Sequence, residues 1–220
     1  MNQYHKYPRT YHLPWSPGGT SDDRILGDIG HFRGLEIVVT EKLDGENTSM
    51  YPDHIHARSL DSKHHPSRTW AKTLHAQIRY DIPQGWRLCG ENVYALHSIF
   101  YRKLDGYFYV FGIYDDRNYC LSWDDTVEYA TMLGLPTVPV LYRGPWDEEK
   151  VRACWTGDSV ASPGDLQEGY VVRVAAGFPY DAQDEGAFSK YTAKYVRAEH
   201  VQTDEHWLEK PVVPNLLKGQ

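Results

Sequence analysis

Lys42 is followed two residues later by Asp44 and then by Gly45, in the run Glu41-Lys42-Leu43-Asp44-Gly45. A lysine amine in such a setting is a candidate nucleophile for covalent catalysis. At an ordinary pKa of about 10.4, roughly one amine in a few thousand is unprotonated at neutral pH, a deficit of about 4 to 5 kcal/mol. Neighbouring cations and desolvation both reduce that deficit. The same string also fits a solvated lysine at the end of a strand. Elsewhere, Lys63-His64-His65-Pro66-Ser67-Arg68 is a local basic cluster able to neutralise RNA phosphates, or simply a solvated loop. The pairs His54 with His56 and His64 with His65 lack partner ligands at zinc spacing, which argues against a structural zinc site.

The elements that position these residues follow from patterning. Leu35 to Lys42 is β-branched and ends at Asp44-Gly45, predicting a strand that runs into a turn and leaves Lys42 at its edge. After Pro66, Ser67 can cap a helix carrying Trp70, Leu74 and Ile78 as one apolar stripe. Arg87 to Tyr94 and Tyr107 to Tyr114 read as strands. Ser122 with Asp125 starts a second helix, with Val127, Ala130 and Leu133 toward the core and a stop at Gly134 before Pro136. Thr137 to Tyr142, Glu168 to Val174 and Tyr191 to Val196 are further strands, so strands outnumber helices in a mixed order.

The composition bounds the answer without choosing it. With 220 residues, 41% hydrophobic and 24% charged, the chain has the make-up of an ordinary folded domain. Its net charge of −7 is not the balance of a nucleic-acid binder, although a total over all faces does not exclude a local cationic groove. No run approaches the roughly 18 apolar residues of a membrane span, and the polar start lacks a signal peptide's apolar stretch, so the expected location is cytoplasmic with no membrane partner. Cys89, Cys120 and Cys154 are widely spaced and read as reduced, buried thiols.

Six short runs occur in order: Glu41-Lys42-Leu43-Asp44-Gly45-Glu46-Asn47, His56-Ala57-Arg58-Ser59, Gly90-Glu91-Asn92, Tyr107-Phe108-Tyr109-Val110-Phe111, Glu168-Gly169-Tyr170-Val171-Val172-Arg173 and Ala193-Lys194-Tyr195-Val196-Arg197. Together they resemble the motifs of the RNA ligase 2-like branch of ATP-dependent polynucleotide ligases, over roughly residues 35 to 200. The resemblance implies an α+β nucleotidyltransferase domain of antiparallel sheets with flanking helices and the ATP site between the sheets. Pro8, Pro14, Pro17, Gly18-Gly19 and Gly27 predict residues 1–34 as an irregular lead-in packed on the core, which leaves 35–202 as the catalytic domain and 203–220 as a tail or short helix.

The resemblance also implies roles. Lys42 attacks the α-phosphate of ATP and keeps AMP as a phosphoramidate. Arg58 contacts the nucleotide, Glu91 binds the ribose hydroxyls, and Glu41 joins them among the nucleotide-binding residues. Phe108 aligns with the aromatic that stacks on adenine, because Phe111-Gly112-Ile113 then matches the residues that follow. Asp44 and Glu168 hold hydrated Mg²⁺ or Mn²⁺ through water. Lys194 contacts the α-phosphate and neutralises charge developing there. Lys190 lies four residues earlier and either reaches the site too or is a surface charge. Arg58, Lys190 and Lys194 would together keep the Lys42 amine neutral. The implied partner is RNA with 5′-phosphate and 3′-hydroxyl ends, as a nicked duplex. The alternatives are a nick-sealing ligase for DNA or hybrids, a self-adenylating domain whose RNA is placed by a partner protein or separate domain, and a non-catalytic nucleotide or RNA binder.

Overall fold

A computed structural model describes residues 4–19, 23–181, 184, 186–199 and 211–220. Its strands are β1 (Glu36–Lys42), β2 (Glu46–Met50), β3 (Ile55–Ala57), β4 (Arg87–Asn92), β5 (Phe108–Tyr114), β6 (Tyr119–Cys120), β7 (Val140–Pro145), β8 (Gly169–Val174), β9 (Phe178–Pro179) and β10 (Thr192–Val196). Helices α1 (Thr69–Ile78), α2 (Trp123–Met132) and α3 (Glu148–Ala153) complete the regular structure, with short 3₁₀ turns between. The strands form two antiparallel sheets. One has the order β10-β8-β1-β7 and the other β3-β2-β4-β5-β6-β9, so the chain is α+β as its sequence implied.

Alternation along each strand decides which residues face the space between the sheets. On β1, Ile37 and Val39 are fully buried on the outer face, where Val151 of α3, Tyr170, Val172 and the lead-in residue Leu13 cover them. Lys42 and Thr40 therefore emerge on the inner face, beside Val171 and Arg173 of β8 and Thr192 and Lys194 of β10. The six-stranded sheet packs its outer face, including Phe108, Val110 and Ile113, against Ala71 and Ile78 of α1 and Ala130 of α2.

The helix patterns are realised with small differences. Ser122 caps α2 by accepting from the Asp125 N–H, and the chain turns off at Gly134 with φ of +68°, a conformation that favours glycine. Ser67, by contrast, lies inside the 3₁₀ turn Pro66–Arg68, which His65 caps, so α1 starts two residues later. The strand expected at Thr137 to Tyr142 begins only at Val140. Before it, Pro136 and Val138 bond to Val110 of β5, and the chain reaches β1 only at Pro139, whose carbonyl accepts from the Glu41 N–H.

Both chain ends pack on the core. Tyr7 meets Phe111, Tyr114 and Phe188 edge-on, and residues 11–13 bond to Lys194 as an added strand segment. Near the other end, the buried Asn215 side chain accepts from the Tyr101 N–H and donates to the Val93 carbonyl, tying residues 211–220 to the 93–107 connection. The tail expected from 203 onward falls outside the described residues as far as 210. No helix among the described residues is long and apolar enough to cross a membrane.

Candidate active site

A cavity of about 1170 Å³ opens between the two sheets. Its walls carry Lys42, Glu91, Phe111, Glu168 and Lys194, and its mouth carries Arg58 and the basic stretch around Lys63. Lys42 ends β1, and the turn through Asp44 and Gly45 sends the chain into β2 in the opposite sheet, so one strand–turn–strand unit bridges the cleft. Gly45 has to be glycine: a Cβ there would lie 2.6 Å from the Asn92 carbonyl oxygen.

The Lys42 ammonium donates to both carboxylate oxygens of Glu168, at 2.6 and 2.7 Å. Glu168 is almost fully buried, and burial pushes its pKa up to about 7 even against the attraction of Lys42. Glu91 is pushed further, to about 8, by burial and by the neighbouring carboxylates Glu168, Asp44 and Glu46, with Lys42 opposing. For Lys42 itself burial acts downward, but Glu168, Glu91 and Asp44 together outweigh it and the pKa rises. This corrects the expectation that Arg58, Lys190 and Lys194 keep the amine neutral. In the ligand-free protein, a carboxylate shell holds Lys42 charged.

Asp44 lines the cavity with one oxygen anchored to the chain beside it. Its Oδ2 accepts from the Ser98 N–H (2.7 Å), the Ser98 hydroxyl (2.8 Å) and the Ile99 N–H (2.7 Å), anchoring the 98–99 turn to the end of β1. These are charge-assisted bonds, stronger than those between neutral groups.

Lys194 faces the same cavity from β10, while Lys190 ends a 3₁₀ turn as an exposed residue off the cavity wall. Lys190 is thus corrected to a surface charge, because the three residues between the two lysines include the turn into β10. Arg58 is exposed at the mouth. Arg68 pairs through Nε with both Glu46 oxygens at 2.9 and 2.8 Å, fixing the basic cluster against β2.

Two further expectations change. Phe108 is 1% exposed and sits under α1 and α2, away from the cavity. Phe111 is half-buried, lines the cavity and meets Tyr7 edge-on at 5.1 Å. Alternation on β5 holds from Phe108 to Val110 and is then interrupted by a bulge at Phe111, so the helices cover Phe108, Val110 and Ile113 while Phe111, Gly112 and Tyr114 line the cleft. The Glu41 carboxylate points to the face of β1 opposite Lys42, where its Oε2 accepts from Val160 and Ala161 N–H at 2.9 Å each. It braces the 160–161 loop, so the expected nucleotide contact is not one its carboxylate is placed to make.

Residues 35–196 match the family model described as RNA ligase. The chain belongs to the RNA ligase family. Its fold is also that of an RNA ligase from Naegleria gruberi, solved as a mutant with ATP and Mn (21% identity, TM-score 0.52, covering 76% of this chain and 51% of that one). The same ligase with PPi aligns at 20% identity and a TM-score of 0.50 (76% and 50%), and a mutant with AMP and Mn at 19% and 0.52 (76% and 51%). This chain therefore spans about half the length of those solved relatives. No curated protein matches it.

The RNA ligase assignment makes a divalent cation relevant, and the residues present fit one bound through water. No cluster of three His, Cys, Asp or Glu side chains among the described residues could hold an ion directly. Around Lys42, however, stand three carboxylates, Asp44, Glu91 and Glu168, and burial raises the pKa of the latter two. Buried carboxylates of that kind favour an added cation that keeps its own waters. The site also includes residues that no sequence pattern marked. Tyr7, Arg9 and Asp23 of the lead-in line the cavity, as does Thr192, two residues before Lys194 on the same face of β10. In sequence the lead-in shows only turn residues, and nothing local announces that it reaches the far edge of a sheet.

Proposed function

We propose that this RNA ligase family member is ATP-dependent, adenylates itself at Lys42, passes the AMP to an RNA 5′-phosphate and seals that end to a 3′-hydroxyl. The observation that carries the reading is the Lys42 amine held at a strand end, 2.6 Å from a buried carboxylate, in a cavity between two sheets. In the first step the Lys42 nitrogen attacks the α-phosphorus; a P–N bond forms as the P–O bond to pyrophosphate breaks. In the second, an oxygen of the RNA 5′-phosphate attacks the same phosphorus and Lys42 leaves. In the third, the 3′-hydroxyl attacks the activated 5′-phosphate and AMP departs.

The chain's own groups divide this work. Glu168, at a pKa near 7, is suited to take the ammonium proton of Lys42 close to neutral pH. Lys194 brings positive charge to the α-phosphate, Glu91 accepts from the ribose hydroxyls, and Phe111 rather than Phe108 offers its ring to the base. Asp44 and Glu168 would hold, through water, a hydrated Mg²⁺ or Mn²⁺, which would neutralise phosphate charge. Arg58, at the cavity mouth, would contact the nucleotide, and the basic stretch with Lys63 and Arg68 would take the RNA backbone. The solved structures of the Naegleria gruberi RNA ligase, as mutants with ATP and Mn or AMP and Mn and with PPi, support the choice of nucleotide and metal.

The half-length match supports a second reading, in which the chain charges itself with AMP and a partner protein or separate domain places the RNA. One incubation tests both. Protein with labelled ATP and Mg²⁺ should form an acid-labile adduct that is absent in Lys42→Ala, and nicked RNA should then release the label as AMP and be joined. An adduct without joining favours the second reading. No adduct, or one retained in Lys42→Ala, rejects both.

A further inference from the structure

The nearest partner of Lys194 lies outside the family-matched residues. The strand segment 11–13 adds to β10: the Leu13 N–H donates to the Lys194 carbonyl at 2.8 Å and the Lys194 N–H to the Tyr11 carbonyl at 2.9 Å. This places His12, which is fully buried, beside the lysine. Asp23 then returns along the same edge, with its Oδ1 3.4 Å from the Lys194 ammonium and 3.3 Å from His12 Nε2, and its side chain lines the cavity. On the other side of the ring, His12 Nδ1 lies 2.7 Å from the Ser16 hydroxyl, which accepts from the Val196 N–H at 2.9 Å.

One proton arrangement satisfies this chain. Burial and the cation Lys194 lower the His12 pKa to about 4, so the ring is neutral at physiological pH and one nitrogen must accept. The Ser16 hydroxyl, already an acceptor from Val196, donates to Nδ1. The remaining ring proton sits on Nε2, which meets the Asp23 carboxylate at 3.3 Å as an electrostatic contact outside hydrogen-bond alignment. A line of contacts thus runs from the backbone of β10 through Ser16 and His12 to Asp23, and returns to the same strand at the Lys194 amine.

We propose that Asp23, oriented by His12, is a positioning residue that keeps Lys194 charged and aimed into the cavity for its work on the transferred phosphate. The need is physical. Lys194 is mostly buried and shares the cavity with the cation Lys42, and burial and Lys42 both pull its pKa down. Asp23 and Glu168 are the opposing groups that face it, with neutral His12 adding no charge. Glu168 is already engaged by Lys42 in the ligand-free protein. Asp23 is therefore the carboxylate left to Lys194, and it is supplied by the lead-in.

This inference rests on the ligase reading for its catalytic meaning, but its test has an arm that does not. In protein carrying ¹³C-labelled lysines, the Lys194 side chain should titrate at lower pH in Asp23→Asn than in the unaltered chain, and near the original pH in Asp23→Glu. No ATP is involved, so a protein that makes no adduct would sink the ligase reading alone. With ATP and Mg²⁺, Asp23→Asn should slow adduct formation about tenfold near neutral pH, with the alkaline limb of its pH profile moved down, and Asp23→Glu should recover most of the rate. An unchanged Lys194 titration overturns the proposal. So does an equal loss in Asp23→Asn and Asp23→Glu at every pH with a lowered melting point, which would make Asp23 a purely structural contact.

Discussion

The ammonium of Lys42 sits between the two oxygens of Glu168, at 2.6 and 2.7 Å, so the nucleophile of the proposed reaction rests in an ion pair that opposes its own activation. Such a pair keeps the amine protonated and aimed until phosphate and cation compete for the carboxylate. The arrangement joins β1 to the start of β8, neighbours in one sheet whose residues 42 and 169 are in register.

Removing that carboxylate should separate the two roles of Glu168. In Glu168→Gln the main group raising the Lys42 pKa is gone and burial acts with less opposition, so the acid limb of adduct formation moves to lower pH. The maximal rate should nevertheless fall by about 10²-fold, the typical cost of deleting one electrostatic partner of a transition state. Adduct formation from labelled ATP, followed from pH 5 to 9, reads both effects.

The raised pKa values of Glu91 and Glu168 carry a stability consequence. Both side chains bind protons more tightly folded than unfolded, so the folded state holds more protons at these two sites between about pH 4.5 and 8, and their contribution to stability falls as pH rises through that window. Burial lowers the pKa values of His5, His12, His56 and His75, and these groups act in the opposite sense below about pH 6.5, so the carboxylate contribution is read by difference. Glu91→Gln, which never ionises, should gain stability relative to the unaltered chain as pH rises from 5 to 8. Melting curves of both proteins across that range decide it, and a difference that does not change with pH would contradict the assignment.

Phe108 and Phe111 should answer to different measurements. Truncating Phe108 to Ala empties a core site under two helices and should cost about 3 to 5 kcal/mol of stability. Phe111→Ala should instead raise the ATP concentration needed for half-maximal adduct formation severalfold, with a smaller change in stability. Denaturant unfolding and an ATP titration, run on both variants, distinguish a core ring from a ligand-facing one.

The basic stretch around Lys63 should act on RNA and not on ATP. Lys63→Ala should leave adduct formation unchanged while lowering the slope of log affinity for nicked RNA against log salt by roughly 1, as expected for one lost phosphate contact. An unchanged slope would remove Lys63 from the RNA path.

The sequence determined the order of the parts. A β-branched run ending at Lys42, an aromatic run over β5 and the Glu168-Gly169 start of β8 are local patterns, and local patterns survive in one dimension because strand period and turn chemistry depend on near neighbours. Most predicted elements appear within a residue or two. β2 and β3 leave little trace in the sequence, because Glu46 to Ser49 is polar throughout and lacks the apolar alternation that marks a strand.

Tertiary structure decided what each face meets. Phe108 and Phe111 are both aromatic and only three residues apart; whether a ring becomes core or cavity wall depends on where α1 and α2 land, a contact made by distant segments. Lys190 and Lys194 are likewise indistinguishable by type, and the 3₁₀ turn before β10 sends one to solvent and the other into the cleft. Charge balance around Lys42 was also hidden. Arg58 and Lys194 suggested a cationic setting, yet side-chain electrostatics fall off over a few ångströms, and the groups that fold closest to the amine are Glu168, Glu91 and Asp44. The lead-in that brings Asp23 to Lys194 across 171 residues of sequence is the extreme case, since nothing in either neighbourhood records the other.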